Sequence, residues 1–306
     1  MFYSKLTISL AVSGLSFLGC QITQKALKST AENGQTLVWE EHFNDSIHPK
    51  TWTYDIGDGC AKGICGWGNS EMEYYTDRKV NARVENGNLV IEAHREAFQG
   101  KPFTSARLKT EGRMHFRYGT IEARIKIPNV TNGLWPAFWT LGTVGGTWPS
   151  IGEIDMVEIG SKEALQMGYG NKRVSSAAHW SKADLTHEYN VSYQNAPVDL
   201  SLDYHLYKMV WTSQSIKMYL DNVEYYSFDI SGGAGANVSE FHEPHYVLLD
   251  LAIGGNYTGV HTEGGVNAPL PAKMYVDYIN LYQSKSDSLY LLNNNVPDKG
   301  KTASNF

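Results

Sequence analysis

Residues Gly152 to Gly160 read G-E-I-D-M-V-E-I-G, and this segment constrains the fold more than any other in the 306-residue chain. A strand turns successive side chains to opposite faces, so Glu153 and Asp155 share one face while Ile154 and Met156 take the other. Strict alternation would then place Val157 beside the two acids. One inserted residue, a β-bulge, brings Glu158 there instead. Three carboxylates on one face repel each other and raise the pKa of at least one. Such a cost is tolerated for chemistry or for a metal.

Glycoside hydrolysis is chemistry that needs paired carboxylates. A retaining enzyme holds a nucleophile and a general acid about 5–5.5 Å apart across the scissile bond. Glu153 is then the expected nucleophile and Glu158 the acid/base. Asp155 would hydrogen-bond the nucleophile and help keep Glu158 protonated at the start of the cycle. Five residues of flat strand span roughly 16 Å, so the strand must curve and bulge for the two carboxyls to converge. Two other readings stand beside this one. A solvated edge strand would favour Lys over acids set among Ile, Met and Val. A calcium site would use the same oxygens, although the EF-hand pattern is missing.

The flanking sequence extends the pattern. G-W-G-N-S-E-M-E-Y-Y-T begins at Gly66, and G-T-I-E-A-R-I-K-I-P at Gly119 leads into G-L-W-P-A-F-W-T-L-G at Gly133. D-Y-H-L-Y at Asp203 precedes Trp211-Thr212, L-D-L-A-I-G-G-N begins at Leu249, and M-Y-V-D-Y-I begins at Met274. With the acidic segment, these resemble glycoside hydrolase family 16, in the bulged form of laminarinases, agarases and carrageenases, over residues 37–283. The full set is most like laminarinases.

The resemblance implies an all-β fold, a β-jelly-roll sandwich of two curved antiparallel sheets with a concave cleft. It implies retaining endo-hydrolysis of a β-1,3-glucan such as laminarin. Mixed-linkage β-1,3-1,4-glucan is the rival substrate, and a non-catalytic glucan-binding lectin is the reading from another class. Retention of Glu153, Asp155 and Glu158 speaks against binding alone. By the same resemblance Trp135 and Trp139 are expected in the cleft, and Trp148, four residues before Gly152, is a further candidate. Asn69 and Arg107 are expected against sugar on the non-reducing side of the cut, with His179 near the acid/base and Asn256 placed similarly. The family usually has Trp after that asparagine; here it is Tyr257. No cofactor is expected in catalysis. A structural calcium is implied at the backbone carbonyls of Glu41 and Gly87 and the side chain of Asp277.

The N-terminus reads as an address. Lys5 precedes an apolar stretch from Leu6 to Leu18, too short to span a bilayer. It ends Phe17-Leu18-Gly19-Cys20, similar to a bacterial lipobox with Phe17 where Leu is usual. Residues 1–19 are thus expected as a lipoprotein-type signal peptide, Cys20 as the lipidated residue and 20–36 as a tether. The protein would be anchored at the cell envelope, at the outer membrane; an ordinary cleaved signal peptide is the alternative. Both predict export. In an exported chain Cys60 and Cys65 read as a disulfide that stiffens its loop.

The remainder favours one β domain. Strands are expected where Ile121, Ala123, Ile125 and Ile127 alternate with Glu122, Arg124 and Lys126. A turn is expected at Glu85-Asn86-Gly87-Asn88, before a strand at Leu89, Val90 and Ile91, and a hairpin around Asp221-Asn222. Residues 161–202 read as long loops, and 284–306 as a polar tail. A net charge of −6 with no basic stripe excludes the footprint of a nucleic-acid binder. A monomer acting on β-glucan is expected.

Overall fold

The alternating stretch at Ile121 is a strand, Gly119–Lys126, with Ile121, Ala123 and Ile125 fully buried. Glu122 departs from the expected exposed face and is buried too, because this strand is flanked by neighbours on both sides. The computed structural model describes residues 34–144, 146–232 and 237–291. Among them nineteen strands form two sheets.

The first sheet runs β16 (Val223–Asp229), β15 (Ser215–Leu220), β14 (His205–Trp211), β9 (Gly119–Lys126), β18 (Ala272–Gln283), β5 (Asn88–Phe98), β6 (Lys101–Ser105) and β3 (Glu73–Tyr75). β1 (Thr36–Glu41) adds to β18 and β4 (Ala82–Glu85) to β5. The second runs β13 (His187–Asn195), β12 (Arg173–Ser181), β11 (Glu153–Ile159), β10 (Leu134–Gly142), β17 (His245–Ile253), β7 (Arg107–Lys109) and β2 (Thr53–Asp55). β8 (Met114–Arg117) joins β17, and β19 (Ser288–Leu291) joins β8. Pairing is antiparallel apart from β3 with β6, which is parallel. The architecture is a β-jelly roll.

Apolar side chains of the two inner faces fill the space between the sheets. Leu89, Ile91, Ile121, Ile125, Met209 and Trp211 come from the first, and Phe138, Ile154, Met156, Leu249 and Leu251 from the second. Each fully buried side chain of this size contributes about 1.5–3 kcal/mol from leaving water. The outward face of the second sheet is left to carry the acids.

The expected turn and the expected hairpin both form, and the turn too closes a hairpin. Asn86 and Gly87 have φ of 52° and 75°, and Asp221 and Asn222 have φ of 49° and 69°. Positive φ at both central residues gives the two-residue turn whose twist matches the flanking strands.

Two expectations need correction. The stretch 161–202 is not all loop: it holds β12, β13 and a short helix α1 (Lys162–Gln166) capped by the Ser161 hydroxyl. β12 escapes a hydrophobicity reading because Ser175, Ser176, Ala177 and Ala178 are small or polar, yet all four are buried. Likewise the fold does not stop at residue 283, since Ser288–Leu291 pairs with β8 and Leu289 packs on the core. The expected signal segment, Cys20 and most of the tether lie outside the described residues.

Candidate active site

The bulge is present. Glu153 pairs with His179 and Asp155 with Ala177, but Glu158 pairs with Ser175, so three steps on β11 match two on β12. On the other side Trp139 pairs with Asp155 and Phe138 with Val157, skipping Met156. The interrupted ladder frees backbone carbonyls, and buried carbonyls need partners. The Met156 carbonyl accepts from the Ser176 hydroxyl at 2.9 Å and the Tyr225 hydroxyl at 3.1 Å, and the Glu158 carbonyl accepts from Ser175 at 3.3 Å. The polar residues of β12 therefore hold the bulge in place. Glycines close both ends: a Cβ on Gly152 would lie 2.7 Å from Glu240 Cβ, and one on Gly160 2.2 Å from the Leu134 carbonyl oxygen.

Glu153 and Glu158 are consequently five residues apart in the chain but four apart on the partner strand. At about 3.3 Å per residue their Cα atoms are separated by roughly 13 Å rather than 16 Å. Ile154, Met156, Val157 and Ile159 go to the core. Asp155 is buried between the two glutamates, each of which is partly open to solvent.

Register lines cross the sheet through each acid. Through Glu158 the line reads Tyr193, Ser175, Glu158, Ala137, Asp250, Arg107 and Asp55. Through Asp155 it reads Val191, Ala177, Asp155, Trp139, Leu248 and Lys109. Through Glu153 it reads Tyr189, His179, Glu153, Leu141 and Tyr246.

His179 is brought to the acids: its Nε2 lies 3.2 Å from Asp155 Oδ2 and 3.9 Å from Glu153 Oε1. Glu153, Asp155 and His179 also cluster closely enough to offer ligand atoms to a metal. Burial, then the charge of Asp155, pushes Glu153 up to about 8. Burial and then Asp250 raise Asp155, while burial and then Asp155 raise Glu158 well above the usual carboxylate range. Three such groups cannot all be ionised near neutral pH, so at least one proton is held in the cluster.

The expected tryptophans have different settings. Trp139 stands beside Asp155 on the cleft face, with the Arg107 guanidinium 4.6 Å from its ring and its indole N–H donating to Asp250 at 2.7 Å. Trp135 is stacked on Tyr257 at 4.6 Å and 18°. Its indole N–H favours the charged form of Glu158 but makes no hydrogen bond within normal limits. Trp148 is 49% exposed and packs on His187. Asn69 and Asn256 are joined through backbone, Asn256 N–H to Asn69 carbonyl at 2.7 Å. Arg107 is buried between Trp67 and Trp139 and paired with Asp55 at 3.2 Å, so its guanidinium is engaged within the protein. Cys60 and Cys65 form the expected disulfide, beside Trp67.

Sequence reasoning missed several groups. Glu71, Glu73 and Asp250 are buried beside the cleft. Burial pushes Glu73 and Asp250 up to about 7, and burial, then the charge of Glu73, raises Glu71 well above the usual carboxylate range. The period-two spacing of Glu71 and Glu73 was a usable signal; Asp250 had none beyond its place in a family-like segment. His187 pairs with His179 and was not foreseen. Of the three residues expected around calcium, Glu41 pairs with Ile279 on β18, two residues from Asp277, and Leu89, two residues after Gly87, pairs with Val276. The Glu41 carboxylate accepts from the Phe43 N–H and the Trp52 indole N–H, while one Asp277 oxygen is 2.6 Å from Arg124.

A bulge thus returns Glu158 to the face of Glu153 and Asp155, on the outer face of a jelly roll, the arrangement that the family resemblance implies. The model for glycosyl hydrolases family 16 matches residues 65–263. The chain belongs to that family. It is 38% identical over 254 residues to the clotting factor G alpha subunit of Tachypleus tridentatus, covering 82% of this chain but 34% of that one. It is 31% identical to a beta-glucanase of Rhodothermus marinus, covering 87% of this chain and 91% of the relative. The laminarinase catalytic domain of Thermotoga maritima superposes with a TM-score of 0.70 at 35% identity, covering 82% and 98%.

Proposed function

We propose that the chain is a retaining endo-hydrolase of β-1,3-glucan. The observation that carries this is the bulge at Met156–Val157, which returns Glu158 to the face of Glu153 and Asp155. The Glu153 carboxylate attacks the anomeric carbon from one side while Glu158 protonates the departing glycosidic oxygen. A glycosyl ester on Glu153 results. Glu158, now ionised, takes a proton from water as that water attacks the anomeric carbon and breaks its bond to the Glu153 oxygen, which restores both carboxyls and retains the anomeric configuration. Asp155, held by His179, stays between them and keeps a proton in the cluster. The sugar chain crosses the strands along the Asp155 line, with Trp139 under the part that remains bound.

Asn69 and Trp139 stand on the side of β10 and β17, which we assign to the non-reducing part of the substrate. The covalent half of the substrate must be held through two chemical steps, and on this side Arg107 lies between the rings of Trp67 and Trp139, with Asn69 bonded to Asn256 through backbone. We further propose export through the N-terminal segment, and calcium at Glu41, Gly87 and Asp277, weakened by the charge of Arg124.

The test is product analysis with laminarin, mixed-linkage glucan, agarose and carrageenan in parallel. Faster release of short β-1,3 oligosaccharides from laminarin is the expected result. Faster cleavage of mixed-linkage glucan would transfer the assignment to that substrate. Binding without cleavage, unchanged by Glu153→Gln, would favour a glucan-binding lectin.

A further inference from the structure

Tyr257 stands where the family usually has Trp, in α2 (Gly255–Thr258), a single turn that follows β17. The backbone of this turn is fixed. The Asn256 N–H donates to the Asn69 carbonyl at 2.7 Å, and the Gly255 N–H to the Val260 carbonyl at 2.8 Å. Gly255 has φ of 86°, and a Cβ there would lie 2.6 Å from the Asn69 carbonyl oxygen.

Two contacts set where the Tyr257 side chain goes. Its ring stacks on Trp135 of β10, with centroids 4.6 Å apart and planes at 18°. Its hydroxyl lies 2.8 Å from the Ser175 hydroxyl of β12. Ser175 is the strand partner of Glu158 and donates its one hydroxyl proton to the Glu158 carbonyl at 3.3 Å. The Ser175 oxygen is therefore the acceptor and Tyr257 the donor. β11 runs between β10 and β12, so Tyr257 and Trp135 together span the strand that carries Glu158.

These groups lie on the face of the acids. Ala137 and Ser175 pair with Glu158 from either side, and Trp135, two residues before Ala137, shares its face. The Trp135 indole N–H is buried and has no hydrogen-bond partner among the described residues. Burial raises the Tyr257 hydroxyl, and after burial the charge of Glu158 contributes most, as expected of close neighbours.

We propose that Tyr257 is a positioning residue for the acid/base: its ring, stacked on Trp135 and tied by its hydroxyl to Ser175, forms a bridge from β10 to β12 that closes the site beside Glu158. This role rests on the hydrolase reading and on Glu158 as its acid/base. The bridge holds the Trp135 indole towards the Glu158 carboxyl and keeps water from it. Burial contributes most to raising Glu158, ahead of Asp155, whereas the indole lowers it by less than His179 does. Loss of the bridge therefore acts mainly by admitting water, which favours the ionised carboxyl. The other titratable groups around Glu158 are Glu153 and Asp155 on β11, His179 on β12, Tyr193 on β13 and Tyr225 on β16, with Asp250 of β17 further along its register line. None of them is altered in the variants below.

The experiment uses phenyl and dinitrophenyl β-laminaribioside, which place the same ring at the leaving-group position. Phenolate needs the proton of Glu158 to depart, and dinitrophenolate does not. kcat/KM is measured against pH for the wild-type protein, Tyr257→Ala and Tyr257→Phe. Tyr257→Ala should lower it at neutral pH about fivefold to tenfold on the phenyl substrate and less than about twofold on the dinitrophenyl substrate. The basic limb of the phenyl profile should move down by about 0.5–1 pH unit, because the ionised carboxyl is better hydrated. Tyr257→Phe keeps the stacked ring and should stay within about twofold of wild type on both. Both substrates are read on one preparation, so partial unfolding leaves their ratio unchanged. An equal loss on both substrates in Tyr257→Ala would overturn the role and make Tyr257 a substrate contact or part of the frame. An unmoved basic limb would overturn it as well, and so would a Tyr257→Phe variant as impaired as Tyr257→Ala. A wild-type protein that cleaves neither substrate fails at the hydrolase reading itself, and the inference falls with it.

Discussion

His187 Nε2 lies 2.9 Å from His179 Nδ1, and the other nitrogen of His179 is 3.2 Å from Asp155. Two imidazoles thus link the buried aspartate to the surface of β13. His187 fixes the ring of His179 and so the direction from which Asp155 is held. Replacing it with alanine should lower kcat by about threefold to tenfold through lost orientation, with KM nearly unchanged. Steady-state kinetics with a thermal melt will separate this from unfolding, because His187 is exposed and its loss should move the melting temperature little.

Stability should fall as pH rises. The Glu153 carboxyl is about 8 in the fold and about 4.3 when unfolded, so the unfolded chain releases its proton first. A group raised in this way supports the fold fully below its unfolded pKa and loses that support progressively up to its folded one. Glu73 and Asp250, both about 7, act in the same direction. Glu153→Gln removes the Glu153 contribution. It should be more stable than wild type at pH 9 by about 2 kcal/mol, less than the full shift implies because neighbouring carboxyls share protons. The difference should shrink towards pH 5 in denaturant titrations.

The roles of the two glutamates can be separated chemically. Glu158→Ala should lower kcat on laminarin by about 10²–10⁴ yet retain more activity on aryl glycosides with acidic leaving groups, which need no proton. Added azide should rescue both alanine variants, giving a β-glycosyl azide with Glu158→Ala and an α-glycosyl azide with Glu153→Ala. Reversed anomers, read by NMR, would exchange the roles.

Gly160 has φ of 101° and no room for a Cβ, which would meet the Leu134 carbonyl oxygen at 2.2 Å. Gly160→Ala should cost about 2–4 kcal/mol in unfolding free energy, from backbone strain and displacement of β10. Since β10 carries Trp135 and Trp139, activity should fall in the residual folded protein too.

Chelation tests the calcium proposal. EDTA should lower the melting temperature by a few degrees, with restoration by calcium and little change in kcat at low temperature. Arg124→Gln should tighten calcium binding, since it removes a cation 2.6 Å from the Asp277 carboxylate. Calorimetric titration will read both.

The acidic segment was legible because its signal is one of parity. Only an inserted residue reconciles E-x-D-x-x-E with one acidic face and an apolar Ile154, Met156, Val157 and Ile159 on the other, and the ladder contains that residue. The two tight turns were legible for a similar reason, since positive φ selects Asn, Asp and Gly locally. β12 was not legible. Its serines look like loop residues until their hydroxyls are seen to satisfy the carbonyls that the bulge leaves open.

What the sequence determined by itself, then, was short-range: which residues of one strand share a face, where the chain turns, and the disulfide between Cys60 and Cys65. Which strands lie side by side, and in what register, emerged only with the folded sheets. Glu158, Asp250, Arg107 and Tyr193 come from four separate strands and meet on one line across the sheet. His187 reaches Asp155 only through His179. Such meetings depend on hydrogen-bond pairing between distant segments, and that pairing is chosen by the packing of the whole core, which no local pattern of residues encodes.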